Sequence, residues 1–220
     1  AMAHATNCTS DLNAWVGLFA EFAECFGIKA DKNKLFSTLY QKAMEGDKDC
    51  GGMIACNYYS GEPVTGLEEG RPMFLRRPDS HLGLANFMRS HLYASLATLK
   101  IGLDILLKEE DVKIDSITGH GGLFKTKGVG QSILAAAMNA PISVMETAGE
   151  GGAWGMALLA AYMLFKKDGQ SLGDYLDSRV FAERKSETME PDPADVAGFE
   201  KYTKQYQACL AAEKAAVQAF

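Results

Sequence analysis

Paired cysteines at redox or metal spacing are missing from this 220-residue chain. Its five cysteines, Cys8, Cys25, Cys50, Cys56 and Cys209, are odd in number and contain no C-x-x-C. That argues against a disulfide framework and for reduced thiols in the cytoplasm. The four histidines, His4, His81, His91 and His120, show no zinc spacing with them. No apolar run is long enough to span a bilayer. The longest, residues 153–165, is short and interrupted by Gly155. No basic start precedes a long apolar stretch at the N-terminus, so no secretory leader is expected. An excess of positive charge is also missing. The formal net charge is -6, which argues against nucleic acid as the main partner. Small anions remain open, because backbone N–H groups hold them without net positive charge. The motifs G-x-x-x-x-G-K-[ST], G-x-S-x-G and H-E-x-x-H are all absent.

What is there is ordinary globular composition, 47% hydrophobic and 23% charged. The length suits one domain, or one with a helical appendage. Ser10-Asp11 can cap a helix to about Phe26, with Leu12, Trp15, Val16, Phe19, Phe22 and Phe26 as its apolar stripe. Asp31 opens a second helix ending near Gly46. Residues 51–78 read as short strands and turns, including strands at 53–56 and 72–75. The leucine spacing from Leu84 predicts a long helix to about Lys108. Then the pattern becomes regular. Residues 112–118 read as a strand, 119–122 as a turn, 127–139 as a helix and 141–145 as a strand. Residues 149–152 read as a second turn and 153–166 as a small-residue helix. This alternation predicts a parallel sheet with crossovers. Residues 183–195 read as an exposed polar loop, and the remainder as a helix presenting Phe199, Tyr202, Tyr206 and Leu210.

The two glycine turns carry the functional reading. In Gly119-His120-Gly121-Gly122 the missing Cβ atoms permit positive φ and close approach of a ligand. Lys125 and Lys127 add positive charge nearby, and the following helix adds its dipole. Gly149-Glu150-Gly151-Gly152 repeats the device at the next strand end. Two such turns at the carboxyl ends of adjacent parallel strands face one crevice. The pair therefore points to a nucleotide-sized ligand, although each turn also serves tight packing. The dinucleotide fingerprint G-x-G-x-x-G fails at Phe124, yet Glu146 lies where a ribose-binding acid would sit. A nicotinamide-dependent oxidoreductase therefore competes.

In order along the chain, five segments resemble the C-terminal domain of the FGGY family of carbohydrate kinases, the xylulose kinases and ribulokinases in particular. They are residues 9–27; Tyr58-Tyr59-Ser60-Gly61-Glu62, similar to Y-x-S-G-E; residues 86–102 with His91-Leu92-Tyr93; residues 119–131, similar to a phosphate loop followed by Gln; and residues 148–160, similar to an adenosine-binding segment. The chain departs from the family pattern at His120, at the bulky Leu123 and Phe124, at Leu96-Ala97-Thr98, and at Gly151 and Trp154. The resemblance implies an α/β fold of the actin-like, ribonuclease-H-like ATPase type, with residues 3–220 forming one C-terminal nucleotide-binding lobe of a two-lobed sugar kinase. It implies ATP and Mg²⁺ as cofactors and a pentulose or related polyol as substrate. It also implies an N-terminal lobe, outside this chain, that brings the sugar site and the catalytic base. No catalytic residue and no metal ligand is therefore expected here. Expected at the nucleotide are Gly121, Gly122, Leu123, Phe124, Gln131, Glu150, Gly151, Gly152 and Ala153. The resemblance also leaves open a homodimer and a non-catalytic actin-like module.

Overall fold

The computed structural model describes residues 3–110, 112–145, 151–182 and 186–219. The long leucine-spaced stretch forms α3, Leu84–Asp104. It lies at the centre, with Met88, Leu92, Tyr93 and Leu96 buried. Against it pack α1 (Ser10–Cys25), α2 (Lys32–Ala43), β1 (Met53–Cys56), α4 (Val129–Met138) and α7 (Pro193–Ala219). β1 pairs antiparallel with β2 (Met73–Arg76). All four β1 residues are buried, which is why this strand reads as a continuous apolar run rather than an alternation.

Asp31 caps α2 as its position predicts, its side chain accepting from the Lys34 N–H at 2.8 Å. The start of α1 differs from the expectation. Thr9 occupies the cap position without a side-chain bond, and Asp11 turns inward. There it accepts from Trp15 Nε1 at 3.2 Å and lies 3.1 Å from His91 Nδ1. The inner half of the α1 stripe, Leu12 and Val16, is buried, whereas Phe22 and Phe26 are exposed.

The second sheet has the order β3-β4-β5. β3 (Ile117–Gly119) runs parallel to β4 (Ile142–Met145), with α4 between them in sequence, the expected strand–helix–strand unit. β5 (Ser186–Met189) adds antiparallel on the far side of β4. A polar loop was the expectation for residues 183–195. Instead, 186–189 form this strand and α7 begins at Pro193. The reason is that an edge strand needs only its backbone satisfied on one side. Ser186, Glu187 and Thr188 leave their side chains exposed, so no apolar alternation marks the strand. The Ser143 and Thr188 hydroxyls bond across the pair at 2.8 Å. α5 (Gly151–Phe165) and α6 (Leu172–Tyr175) lie between β4 and β5 in sequence.

α7 seals the core with three rings. Phe199, Tyr202 and Tyr206 are all buried, each contributing about 1.5–3 kcal/mol relative to exposure. Tyr202 also ties α7 to two neighbours, since its hydroxyl donates to the Ser90 carbonyl at 2.8 Å and lies 3.3 Å from the Ala55 carbonyl. Further along α7, Glu213 is fully buried and accepts from the Arg71 N–H at 2.6 Å. Burial pushes its carboxyl above the ordinary value. A raised carboxyl favours the folded state most below its unfolded pKa of about 4.3, and the benefit is lost as pH rises through the folded value. Glu213→Gln removes that titration. Its unfolding free energy relative to the parent should therefore increase between pH 4 and pH 8 in urea titrations. An unchanged difference would contradict the assignment.

Candidate active site

The first glycine turn sits where β3 ends. Gly119 is buried, and a Cβ there would stand 2.4 Å from the Phe124 ring. Its role is to let that ring fold back over the strand end. Gly121 has φ 112 and ψ -179, a conformation essentially restricted to glycine. No atom lies within 4 Å of a Cβ position at Gly121 or Gly122. One glycine of the turn thus serves packing, while two present bare backbone to open space. That is the condition a phosphate requires.

The helix does not follow directly. A 3₁₀ turn over Gly122–Lys125 comes first, then Gly128 in the left-handed region, and only then α4. The α4 dipole therefore starts at residue 129 rather than at the glycine turn, which corrects that part of the expected mechanism. The inserted turn exists because Leu123 is buried and the Gly130 backbone packs against its carbonyl. A Cβ at Gly130 would lie 2.5 Å from that oxygen. Lys127 pairs with Glu187 on β5 at 3.1 Å, while its carbonyl accepts from Gln41 Nε2 of α2 at 3.2 Å.

The second glycine segment reaches the first. A Cβ at Gly151 would lie 3.0 Å from His120 Cβ and 3.1 Å from its Nδ1. The start of α5 and the first turn are therefore in direct contact. Gly152 faces open space, and Ala153 is exposed. Glu150, together with Gly149 and Glu146, lies outside the described residues. Gln131 is buried and donates through Nε2 to the Ile142 carbonyl at 2.8 Å and the Glu187 carbonyl at 2.7 Å. It bridges β4 and β5, so its amide nitrogen is already engaged with the sheet.

Two cavities flank the turn. One, of about 500 Å³, is lined by Thr9, Asn13, Asn33, Ser37, Tyr40, Gly122, Leu123 and Lys125. The other, of about 570 Å³, runs from Cys8 and Thr9 past residues 116–124 to the apolar side chains of α3 and α4. Both have the size of small-molecule sites. Local sequence gave no hint of the α1 and α2 contributors, because they lie some eighty or more residues from the turn. Burial raises the Tyr40 phenol, so it presents a neutral hydroxyl near pH 7. Desolvation likewise raises the Cys8 thiol, which leaves it a protonated thiol rather than a nucleophilic thiolate.

The Tyr58-Tyr59-Ser60-Gly61-Glu62 turn holds this rim in place. Glu62 is fully buried, and its Oε2 accepts from the Thr6 and Asn7 N–H groups at 2.9 and 3.1 Å. Asn7 Oδ1 in return accepts from the Tyr59 N–H at 2.9 Å. Asn57 Nδ2 donates to the Cys8 carbonyl at 2.8 Å. Residues 6–8 are thus fixed by buried polar bonds, and Thr9 follows at the edge of both cavities. Among the described residues, no group of three or more His, Cys, Asp or Glu side chains could hold a metal ion. No helix among them is long and apolar enough to cross a membrane.

A family model, the C-terminal domain of the FGGY family of carbohydrate kinases, matches residues 1–164. No curated protein matches the chain. Among solved structures, it resembles the xylulose kinase from Rhodospirillum rubrum at TM-score 0.65 and 20% identity, over 94% of this chain and 38% of that one. It resembles the gluconate kinase from Lactobacillus acidophilus at TM-score 0.60 and 20% identity, over 79% of this chain and 34% of that one. It also resembles the Plasmodium falciparum glycerol kinase, whose structure contains ADP, at TM-score 0.56 and 17% identity, over 90% and 37%. The chain thus spans well under half the length of these relatives.

Proposed function

The chain belongs to the FGGY family of carbohydrate kinases as its C-terminal domain, and we propose that it forms the ATP-binding lobe of a kinase phosphorylating a pentulose or related polyol. The observation that carries the reading is the bare backbone of Gly121, Gly122 and Gly152 facing open space, where the two glycine segments meet. These positions fit a polyphosphate, because a side chain would fill the space that a phosphate oxygen needs. Gly121, Gly122 and Leu123 supply the phosphate-side backbone, while the Phe124 N–H donates to the Gly121 carbonyl at 3.1 Å and closes the turn. Gly151, Gly152 and Ala153 border the adenosine, with Glu150 as their neighbour. Gln131 acts by holding β4 and β5 together beneath them.

Mg²⁺ fits as a passenger on the nucleotide. It is typically bound through phosphates and water with few protein ligands, and the described residues contain no carboxylate cluster to hold it. When bound, ATP supplies the phosphoryl group and Mg²⁺ neutralises its charge. This chain's own part is positioning, through backbone N–H groups and the neutral hydroxyls of Thr9, Ser37 and Tyr40 around the crevice. The base that accepts the sugar's hydroxyl proton, and the sugar site, come from an N-terminal lobe outside this chain. The intact enzyme works in the cytoplasm.

The test joins the chain to the preceding region of its own gene and measures ADP release over a panel of pentuloses, gluconate and glycerol. We expect sugar-dependent release with one pentulose or polyol preferred. ADP release that is the same with every sugar and with none would overturn the reading. The isolated 220-residue chain should bind ATP at least tenfold more weakly than the joined protein, because half of the site is missing.

A further inference from the structure

α1 carries two apolar stripes where a surface helix needs one. The inner stripe is used. Leu12 and Val16 are buried, and the Phe19 ring meets Phe87 of α3 edge-on at 5.9 Å. The outer stripe, Leu18, Phe22 and Phe26, repeats every four residues and continues at Ile28 beyond the helix end. These four side chains are 51% to 68% exposed. Phe22 and Phe26 rest on each other, with ring centroids 5.1 Å apart. The backbone holds this surface in shape. The Gly27 N–H donates to the Glu24 carbonyl at 2.9 Å, and the Ile28 N–H to the Ala23 carbonyl at 3.1 Å. With Gly27 at φ 72, these two bonds form the Schellman closure, which folds the residue after the glycine back onto the last turn. The stripe is thus presented in one conformation, and covering it costs little ordering.

The stripe is remote from the crevice. Thr9 and Asn13, at the start of α1, line the nucleotide side. At 1.5 Å per residue, Phe22 lies roughly 20 Å from Thr9 along the helix axis. Closing a lobe over the nucleotide does not require this face. The charges around it are arranged for self-pairing. Glu21 and Glu24 flank the stripe on α1, and Lys29, Lys32 and Lys34 follow it. With Asp31, residues 21–34 balance three acids against three lysines, and all six are exposed. Neither glutamate and none of these lysines forms an ion pair among the described residues. The chain as a whole carries -6. Two copies therefore repel each other over most of their surface and least at this neutral patch.

We propose that this outer face of α1 docks on the same face of a second copy, as a two-fold pair with the two α1 helices antiparallel. The Phe22 and Phe26 rings of each copy then cover those of the other. Glu21 and Glu24 of each copy meet the lysine segment that follows α1 in the other, so the contact is self-complementary in charge as well as in shape. The area suits this occupant. The four side chains present roughly 400 Å² of apolar surface per copy, the size that marks an interaction site on a monomer. A pair buries about twice that, and with its polar rim roughly 1,200 Å² in total, the lower end of specific interfaces. The dimer is accordingly a weak one, formed in the micromolar range.

Analytical ultracentrifugation of the chain joined to the preceding region of its own gene tests this. It reads mass rather than activity, so its outcome is independent of the kinase reading. The joined protein should pass from one copy to two as its concentration rises through the micromolar range. Phe22→Glu should weaken the dimer at least about 30-fold. It should leave the unfolding midpoint unchanged, because most of the Phe22 side chain is in solvent. Charge reversal identifies the pairing. Glu21→Lys with Glu24→Lys in one preparation, and Lys29→Glu with Lys32→Glu in another, should each associate more weakly than the parent, since like charges then face each other across the two-fold axis. Mixed together, the two preparations should associate more tightly than either does alone. A joined protein that stays monomeric overturns the proposal even if the 220-residue chain dimerises, because the rest of the enzyme is then the cover. So does a dimer that survives Phe22→Glu, or a mixture of the reversed preparations that gains nothing.

Discussion

Asp195→Ala should lower the unfolding free energy by about 3–5 kcal/mol, the cost of leaving a buried charge without its partner. The charge is Arg89 of α3, with no exposed surface at all. Its guanidinium donates to Asp195 at the start of α7, and to the Tyr93 hydroxyl at 3.0 and 3.2 Å. It also approaches the carbonyls of Ala43, Met44 and Gly46 at 3.4 to 3.5 Å, at the end of α2. Three helices therefore meet on one side chain. Dipoles alone do not replace a carboxylate. With Asp195 gone, the guanidinium must stay buried with hydroxyl and carbonyl partners only, or drag α7 open to reach water. Arg89→Met leaves Asp195 paired with Lys48 at 2.8 Å, so it should cost less than Asp195→Ala, which leaves the guanidinium with no carboxylate. Lys48 also touches Asp195, at 2.8 Å, but is nearly half exposed. Lys48→Ala should cost well under 1 kcal/mol. Urea unfolding at pH 7 ranks the three variants. If Lys48→Ala matched Asp195→Ala, the surface ion pair would be the important one and the buried network would not.

That network also shows where the sequence could be read and where it could not. α3 was legible because its leucines repeat at helical spacing through several turns. The strand–helix–strand unit around α4 was legible because two apolar runs flank a helical one. Arg89 and Asp195 carry no such mark, being 106 residues apart and ordinary charged residues in sequence. β5 was invisible for a related reason, since its side chains face solvent and only its backbone pairs. At the site, the first glycine turn could be found because missing Cβ atoms are a local signal, whereas Gly151 and Gly152, expected in a second turn, are the first residues of α5. The sequence could not sort their roles. Gly119 and Gly151 are required by the Phe124 and His120 rings, while Gly121 is required by its own φ. The rim residues Thr9, Asn13, Ser37 and Tyr40 come from two helices with no motif. They reach the crevice because Glu62, Asn7 and Asn57 pin the chain just before α1. The Tyr58-Tyr59-Ser60-Gly61-Glu62 motif is thus a brace for the rim.

Gly121→Ala should raise the KM for ATP of the joined enzyme at least tenfold, equivalent to about 1.4 kcal/mol of binding. The backbone at Gly121 lies in a region where a Cβ costs about 1–3 kcal/mol. Nothing lies within 4 Å of that Cβ position, so the cost is conformational and no packing is lost. An exposed turn relieves such strain by changing its own φ and ψ. The fold then survives with a shifted unfolding midpoint of no more than a few degrees, while the N–H groups of Gly122 and Leu123 point elsewhere. Binding suffers more than stability because a phosphate reads the direction of those groups. The neighbours make the control. Gly122 also faces open space, but its φ lies outside the left-handed region, so Gly122→Ala keeps the turn geometry and should change the KM by less than Gly121→Ala. Gly119→Ala places a methyl 2.4 Å from the Phe124 ring. It should therefore destabilise the β3 end itself, lowering the unfolding midpoint together with ATP affinity. Steady-state ADP release at saturating sugar, read beside thermal unfolding, separates the three. An ATP affinity in Gly121→Ala equal to that of the parent would mean that the turn's conformation serves the fold alone and that the phosphates bind elsewhere in the crevice.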